Sequence, residues 1–211
     1  MKVKLLNLDN NKSDTIEISD KILKHKINYK LIKSVVDWQL NHLKPRTAKT
    51  KQKNEIKGST KKIVPQKGSG GARHASRKAP IFVGGGVAHG PKGAVYKIKK
   101  INKKVRKLAL AHTLSKKNSD KNLFVLTDVK KEIKKTKEFN NFLKKNNLLN
   151  VIIISDLETL KNINKSARNI KDLKIINDAG ANIYDMMKYK NVLLTQSSVK
   201  NLEKRILNEK N

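Results

Sequence analysis

From Ile56 to Ser119 the chain runs 64 residues without one aspartate or glutamate. A stretch like this cannot pair its own cations, and crowded like charges oppose compaction unless a polyanion sits beside them. The surrounding window, residues 38–119, carries 22 Lys and Arg against the single acid Glu55, a net +21 of the chain's +32. Residues 1–37 contribute +3 and residues 120–211 contribute +8, ordinary values for α/β segments with a basic lean. Nine of the ten glycines lie between Gly58 and Gly93, and all four prolines between Pro45 and Pro91. Large apolar residues are sparse there, so the segment cannot bury enough surface to offset the entropy of ordering it. The charge partition therefore predicts a globular body interrupted by a long basic excursion.

The body reads from its hydropathy pattern. Two short strands are expected at 3–8 and 15–18, joined by a polar turn at 9–13. Apolar residues at helical spacing predict helices over 29–43 and 102–117. From there strands at 123–126, 151–154, 173–176 and 192–194 alternate with helices at 137–146, from Asp156 onward, and at 197–207. Ser155 and Glu158 form an S-x-x-E pattern suited to capping the second of these helices, and Ser197 or Ser198 suits the third. Short apolar strands alternating with helices predict an α/β class: a mostly parallel sheet with helices on both faces, Rossmann-like in winding but with no cofactor. A long extended internal loop completes it. Residues 1–43 and 98–211 are assigned to the globular α/β domain, and 44–97 to the basic Gly-rich loop inserted into it.

Several chemistries drop out. The chain has no cysteine, which excludes disulfide frameworks and thiolate metal sites. No apolar run reaches the roughly 20 residues of a membrane span, and the N-terminal segment lacks the apolar core of a secretory signal, so a cytoplasmic protein is expected. The run Gly85–Lys92 has glycines and a lysine but lacks the Ser or Thr and the strand-to-helix setting of a phosphate-cradling loop. The five histidines (25, 42, 74, 89 and 112) show no metal-binding spacing. His112 falls on a helix face, where a structural role is the default. With no carboxylate near His74 and His89, these two are read as RNA-contacting or stacking groups, and a general acid–base site has no support. Glycines let a backbone follow a phosphate chain, while Lys67, Arg73, Arg77, Lys78 and Lys92 supply spaced countercharge. RNA is favoured over DNA because the basic segment contains no recognition helix or dimer pattern.

The motifs in this segment are specific. Residues 65–74, PQKGSGGARH, are followed by the dipeptide Ala79-Pro80, the segment 84–91, GGGVAHGP, and 103–110, KKVRKLAL. Together they strongly resemble the family of the fourth large-subunit ribosomal protein of bacteria, and the likeness extends nearly end to end. The chain departs from that pattern at Val64 and Pro65, where many members carry an aromatic residue and an arginine.

The resemblance implies a structural constituent of the large ribosomal subunit that binds 23S ribosomal RNA early in assembly and has no catalytic role. It implies a loop lining part of the polypeptide exit tunnel, near a constriction shared with the twenty-second large-subunit protein and facing the nascent polypeptide. Doubling about 54 residues back gives a reach of at most on the order of 90 Å. The expected RNA-binding residues are Lys44, Arg46, Lys49, Lys67, Arg73, His74, Arg77, Lys78, His89, Lys92, Lys103, Lys104 and Arg106. The tunnel-facing tip would be Lys67, Gly68, Ser69, Gly70 and Gly71. A nucleotide-utilising α/β enzyme and a non-ribosomal DNA- or RNA-compacting protein remain as alternatives.

Overall fold

The computed structural model describes residues 1–8, 14–93, 100–129, 131–133 and 135–207. The chain separates into two compact units, one formed by Met1–Asn41 with Lys100–Asn211 and the other by His42–Lys99. The expected turn at 9–13 lies outside the described residues.

The first unit is built on a six-stranded sheet in the order β2-β1-β3-β6-β4-β5. Strand β1 (Lys2–Leu6) pairs antiparallel with β2 (Asp14–Glu17) and parallel with β3 (Leu123–Leu126). The remaining neighbours, β6 (Asn191–Thr195), β4 (Val151–Ser155) and β5 (Leu173–Asn177), all run parallel. The last strand in sequence therefore lies between the third and the fourth, a placement that no local pattern specifies. Around the sheet stand α1 (Asp20–Leu23), α2 (Tyr29–Leu43), α3 (Lys103–Ser119), α4 (Thr136–Lys145), α5 (Leu157–Ala167), α6 (Ile183–Lys188) and α7 (Gln196–Leu207).

Every residue of β4 and β6 is buried. Successive side chains of a strand point to opposite faces, so a strand covered on both sides must be apolar throughout. Ile152 and Ile154 accordingly join one core with Val125, Val192 and Leu194, packed with Val35 of α2, Leu110 of α3, Met186 of α6 and Leu202 of α7. Val151 and Ile153 join a second core with Leu126 and Leu193, packed with Phe139 and Leu143 of α4 and Ile163 of α5.

Two expected caps are corrected. Ser155 is the last residue of β4, fully buried, and the residue preceding α5 is Asp156, whose side chain makes no capping bond. The parallel ladder, which pairs Ser155 with Asn177, outcompetes the local S-x-x-E preference. Helix α7 starts at Gln196, before either candidate serine. Its first amides are served from elsewhere: the Ser197 N–H donates to Asp128 (3.1 Å) and the Ser198 N–H to the Thr195 hydroxyl (3.4 Å). Helices α1 and α6, four and six residues long, are too short for periodicity to reveal. Helix α6 is started by Asn182, whose side chain accepts from the Asp185 N–H at 2.8 Å.

The second unit contains no strand among its described residues, only one antiparallel bridge between Lys49 and Lys92. Its two arms are tied by main-chain bonds, Thr50 N–H to the Pro91 carbonyl and Val87 N–H to the Lys51 carbonyl, both 2.9 Å. Farther out the Ile63 N–H donates to the Ala75 carbonyl at 2.9 Å. The Gly86 N–H reaches the Lys78 carbonyl at 3.0 Å, and a side chain there would collide with the Gln52–Lys53 backbone. Glycine at position 86 is what lets the arms close.

Candidate nucleic-acid interface

Residues 42–99 contain fifteen Lys and Arg and one acid, Glu55. That carboxylate accepts a bond from the Gln52 N–H at 3.2 Å, so it serves a turn. Fourteen positive charges thus remain without counter-charge inside the unit. Lys44, Arg46, Lys49, Lys67, Arg73, Arg77 and Lys92 are all exposed. The bridge sets Lys49 opposite Lys92, and like charges facing one another across strands are unfavourable without an anion near them. Lys78 is half-buried and lines a cavity of about 510 Å³ with Lys53 and exposed His89.

His74 is not presented as a free stacking surface. Its ring lies 5.0 Å from that of Phe82, tilted by 60°, and is half-buried. His74 therefore pins the segment around residue 82 to the preceding arm. The five residues Lys67–Gly71 are all exposed, and Gly68 has a φ of +87°, in the left-handed region that favours glycine. Among the described residues nothing beyond its chain neighbours lies within 4 Å of where a side chain at Gly68 would begin, so backbone conformation and not crowding demands glycine there.

The remaining predicted cations belong to the first unit. Lys103 and Lys104 are exposed in the first turn of α3. Arg106 is half-buried, its guanidinium 5.1 Å from the centroid of the Trp38 ring. Lys103 and Arg106 line one cavity of about 370 Å³ together with Lys107 and Arg205. Sequence reasoning missed both: Lys107 sits inside a uniformly basic run, and Arg205 comes from α7 at the far end of the chain. Burial, opposed by Asp178 and reinforced by Arg106, pulls the Arg205 guanidinium below its ordinary pKa.

Several other cations of this unit are structural. Lys117 is buried and donates to the Tyr189 and Lys190 carbonyls at 2.8 and 3.0 Å, and burial lowers its pKa. Lys174 pairs at 2.6 Å with the buried Asp185 carboxylate. Lys24, Lys116 and Lys165 pair with Asp20, Asp120 and Glu132. The His112 ring lies 5.2 Å from that of His25, and burial, aided by the His25 charge, lowers its pKa. Among the described residues no group of three or more His, Asp or Glu side chains could hold a metal ion, and no helix is long and apolar enough to cross a membrane.

These features define a class: a basic α/β protein carrying a second, nearly acid-free unit most of whose described cations face solvent. The profile of the Ribosomal protein L4/L1 family matches residues 16–205, and the chain belongs to that family. It is 51% identical to the large ribosomal subunit protein uL4 of Pelagibacter ubique, over 97% of this chain and 99% of that protein. The proteins of the same name from Rickettsia akari and Thermotoga petrophila are each 38% identical, over 98% of this chain and 100% and 96% of theirs. It is thus a ribosomal protein.

Proposed function

We propose that the chain is a structural, non-catalytic constituent of the large ribosomal subunit in the cytoplasm, binding 23S ribosomal RNA early in assembly. Residues 44–97 act as an extended loop threaded into the RNA. The tip, Lys67 to Gly71, lines the exit tunnel beside the twenty-second large-subunit protein and meets the nascent polypeptide. The observation that carries the RNA reading is the residual charge of the second unit, fifteen cations against one carboxylate already used in a turn. Charge of that density is neutralised by phosphates, with release of their counterions. Exposed Lys44, Arg46, Lys49, Arg73, Arg77 and Lys92 supply the contacts, with Lys103 and Lys104 of α3 as a second patch.

Deletion of 44–97 tests the reading. The shortened chain should keep the α/β circular-dichroism signature yet fail to enter large subunits in reconstitution; normal incorporation would refute the assignment. Cross-linking from Lys67 in assembled particles should reach tunnel-wall RNA or a nascent chain. A DNA-compacting role predicts equal affinity for duplex DNA and large-subunit RNA at matched salt, and a nucleotide-utilising enzyme predicts turnover.

A further inference from the structure

The second unit holds an open cavity of about 510 Å³, formed where residues 52–60 meet residues 76–89. Main-chain bonds hold its walls: Val87 N–H to the Lys51 carbonyl at 2.9 Å, Gly86 N–H to the Lys78 carbonyl at 3.0 Å, and Ala79 N–H to the Ser76 carbonyl at 3.1 Å. Gly86 and Gly90 let the walls approach, since a Cβ would strike the Gln52–Lys53 backbone at the first and the Thr50 side chain at the second. His89, on the lining, has a φ of +53°, a left-handed conformation that is costly for a residue with a Cβ. Backbone closure therefore shapes the cavity.

Its lining is of three kinds. Pro80, Val87 and Ala88 give an apolar wall. Gln52 and Asn54 bring carboxamides, and Ser76, only 4% exposed, brings a hydroxyl. None of these three side chains makes a hydrogen bond among the described residues. Lys53 and Lys78 add charge.

This mixture selects the occupant. A bare phosphate group gains nothing from an apolar wall, and a hydrocarbon would leave the polar groups of the lining unpaired. A nucleotide suits all three kinds. Its base has apolar faces and an edge of donors and acceptors that a carboxamide can meet in pairs, and its phosphate answers lysine. The exposed His89 imidazole supplies a ring of the type on which unstacked bases lie. A volume of about 510 Å³ is within the range of sites that enclose a small ligand.

We propose that this cavity takes one unstacked nucleotide of single-stranded RNA. Its base lies against Pro80, Val87 and Ala88 with its edge on Gln52 and Asn54, and its phosphate sits at Lys53 and Lys78. The inference rests on the RNA reading above and deepens it, giving the second unit a contact with a base where charge alone gives contacts with phosphate.

The test compares a short single-stranded oligoribonucleotide with the same ribose-phosphate backbone lacking its bases, each titrated with the full chain in fluorescence anisotropy. The wild-type chain should prefer the probe with bases by about 5- to 150-fold, the worth of one well-held base. Ala88→Leu, which fills the cavity from an exposed position, should abolish that preference, and Asn54→Ala should lower it severalfold. Neither changes a charge, so the slope of log affinity against log salt should stay at its wild-type value. Arg73→Ala/Arg77→Ala, outside the cavity, should weaken both probes alike and reduce the slope. A photoreactive thio-base in the oligonucleotide should cross-link within 52–54 or 87–89. The proposal is overturned if both cavity variants keep the wild-type preference, or if every cross-link falls in other segments. Equal binding of the two probes with a normal salt slope removes the cavity proposal and leaves the RNA reading standing. Failure of the wild-type chain to bind either probe removes both.

Discussion

Replacing Gly86 by alanine should open the second unit at its most crowded point. A Cβ at that position would fall 2.6 Å from the Gln52 carbonyl carbon and from the Lys53 Cα, both main-chain atoms that cannot rotate away. Relief requires the two arms to part by about 1 Å, because ordinary carbon contacts lie at roughly 3.5–4 Å. The bond that crosses between the arms there then stretches beyond the N–H···O range: Val87 N–H to Lys51 O, now 2.9 Å. That bond contributes about 0.5–1.5 kcal/mol net, and with the strain of overpacking the local cost is about 1–3 kcal/mol. At about 1.4 kcal/mol per factor of ten, amide exchange across 50–53 and 78–87 should accelerate by roughly 5- to 150-fold. Hydrogen-exchange mass spectrometry on the full chain measures this directly. Gly180→Ala is the control, since nothing lies within 4 Å of its Cβ and its φ is ordinary. Unchanged exchange in Gly86→Ala would show that the arms are not closed against each other at residue 86.

Ile153→Ala removes a fully buried side chain from the second core and should cost about 2–5 kcal/mol in urea unfolding; a loss below about 1 kcal/mol would contradict two-faced burial of β4. His112 has its pKa lowered in the folded state, chiefly by burial, so the unfolded chain takes up the proton first. Stability should therefore fall as pH drops from 6.5 toward the lowered folded value, and His112→Gln should flatten that decline in thermal melts. Substituting Lys49 and Lys92 together by glutamine should reduce the slope of log affinity for RNA against log salt by roughly 1.5, about 0.7–0.9 for each phosphate no longer neutralised. A slope that does not change would place those side chains away from phosphate.

The class of the fold and the location of the charge were legible because both are local properties of the chain. Short continuous apolar runs such as 151–154, alternating with helical patterns, fit strands covered on both faces, so they pointed to a parallel sheet before any neighbour was known. Acid depletion between Ile56 and Ser119 marked the basic unit because no arrangement in space can create counter-charge that the segment lacks. Which candidate cations reach solvent is another matter. His74 has the right chemistry for stacking on a base, but it is engaged with Phe82, and Arg106 lies on Trp38.

What the amino-acid order could not specify are relations between segments distant along the chain. It determined that β6 would be buried, but its position between β3 and β4 follows from how the parallel crossovers pack together. The serine caps failed for the same reason: the ladder partner Asn177 took Ser155 into the sheet, and Asp128, from the end of another strand, serves the first turn of α7. The meeting of Arg205 with Arg106 likewise exists only once α7 has docked beside α3. Composition determined that this protein needs a polyanion. Tertiary structure alone decided which described cations stand in the open, which pair with acids, and which two arginines line one cavity, because distances between remote residues are set by packing and not by sequence spacing.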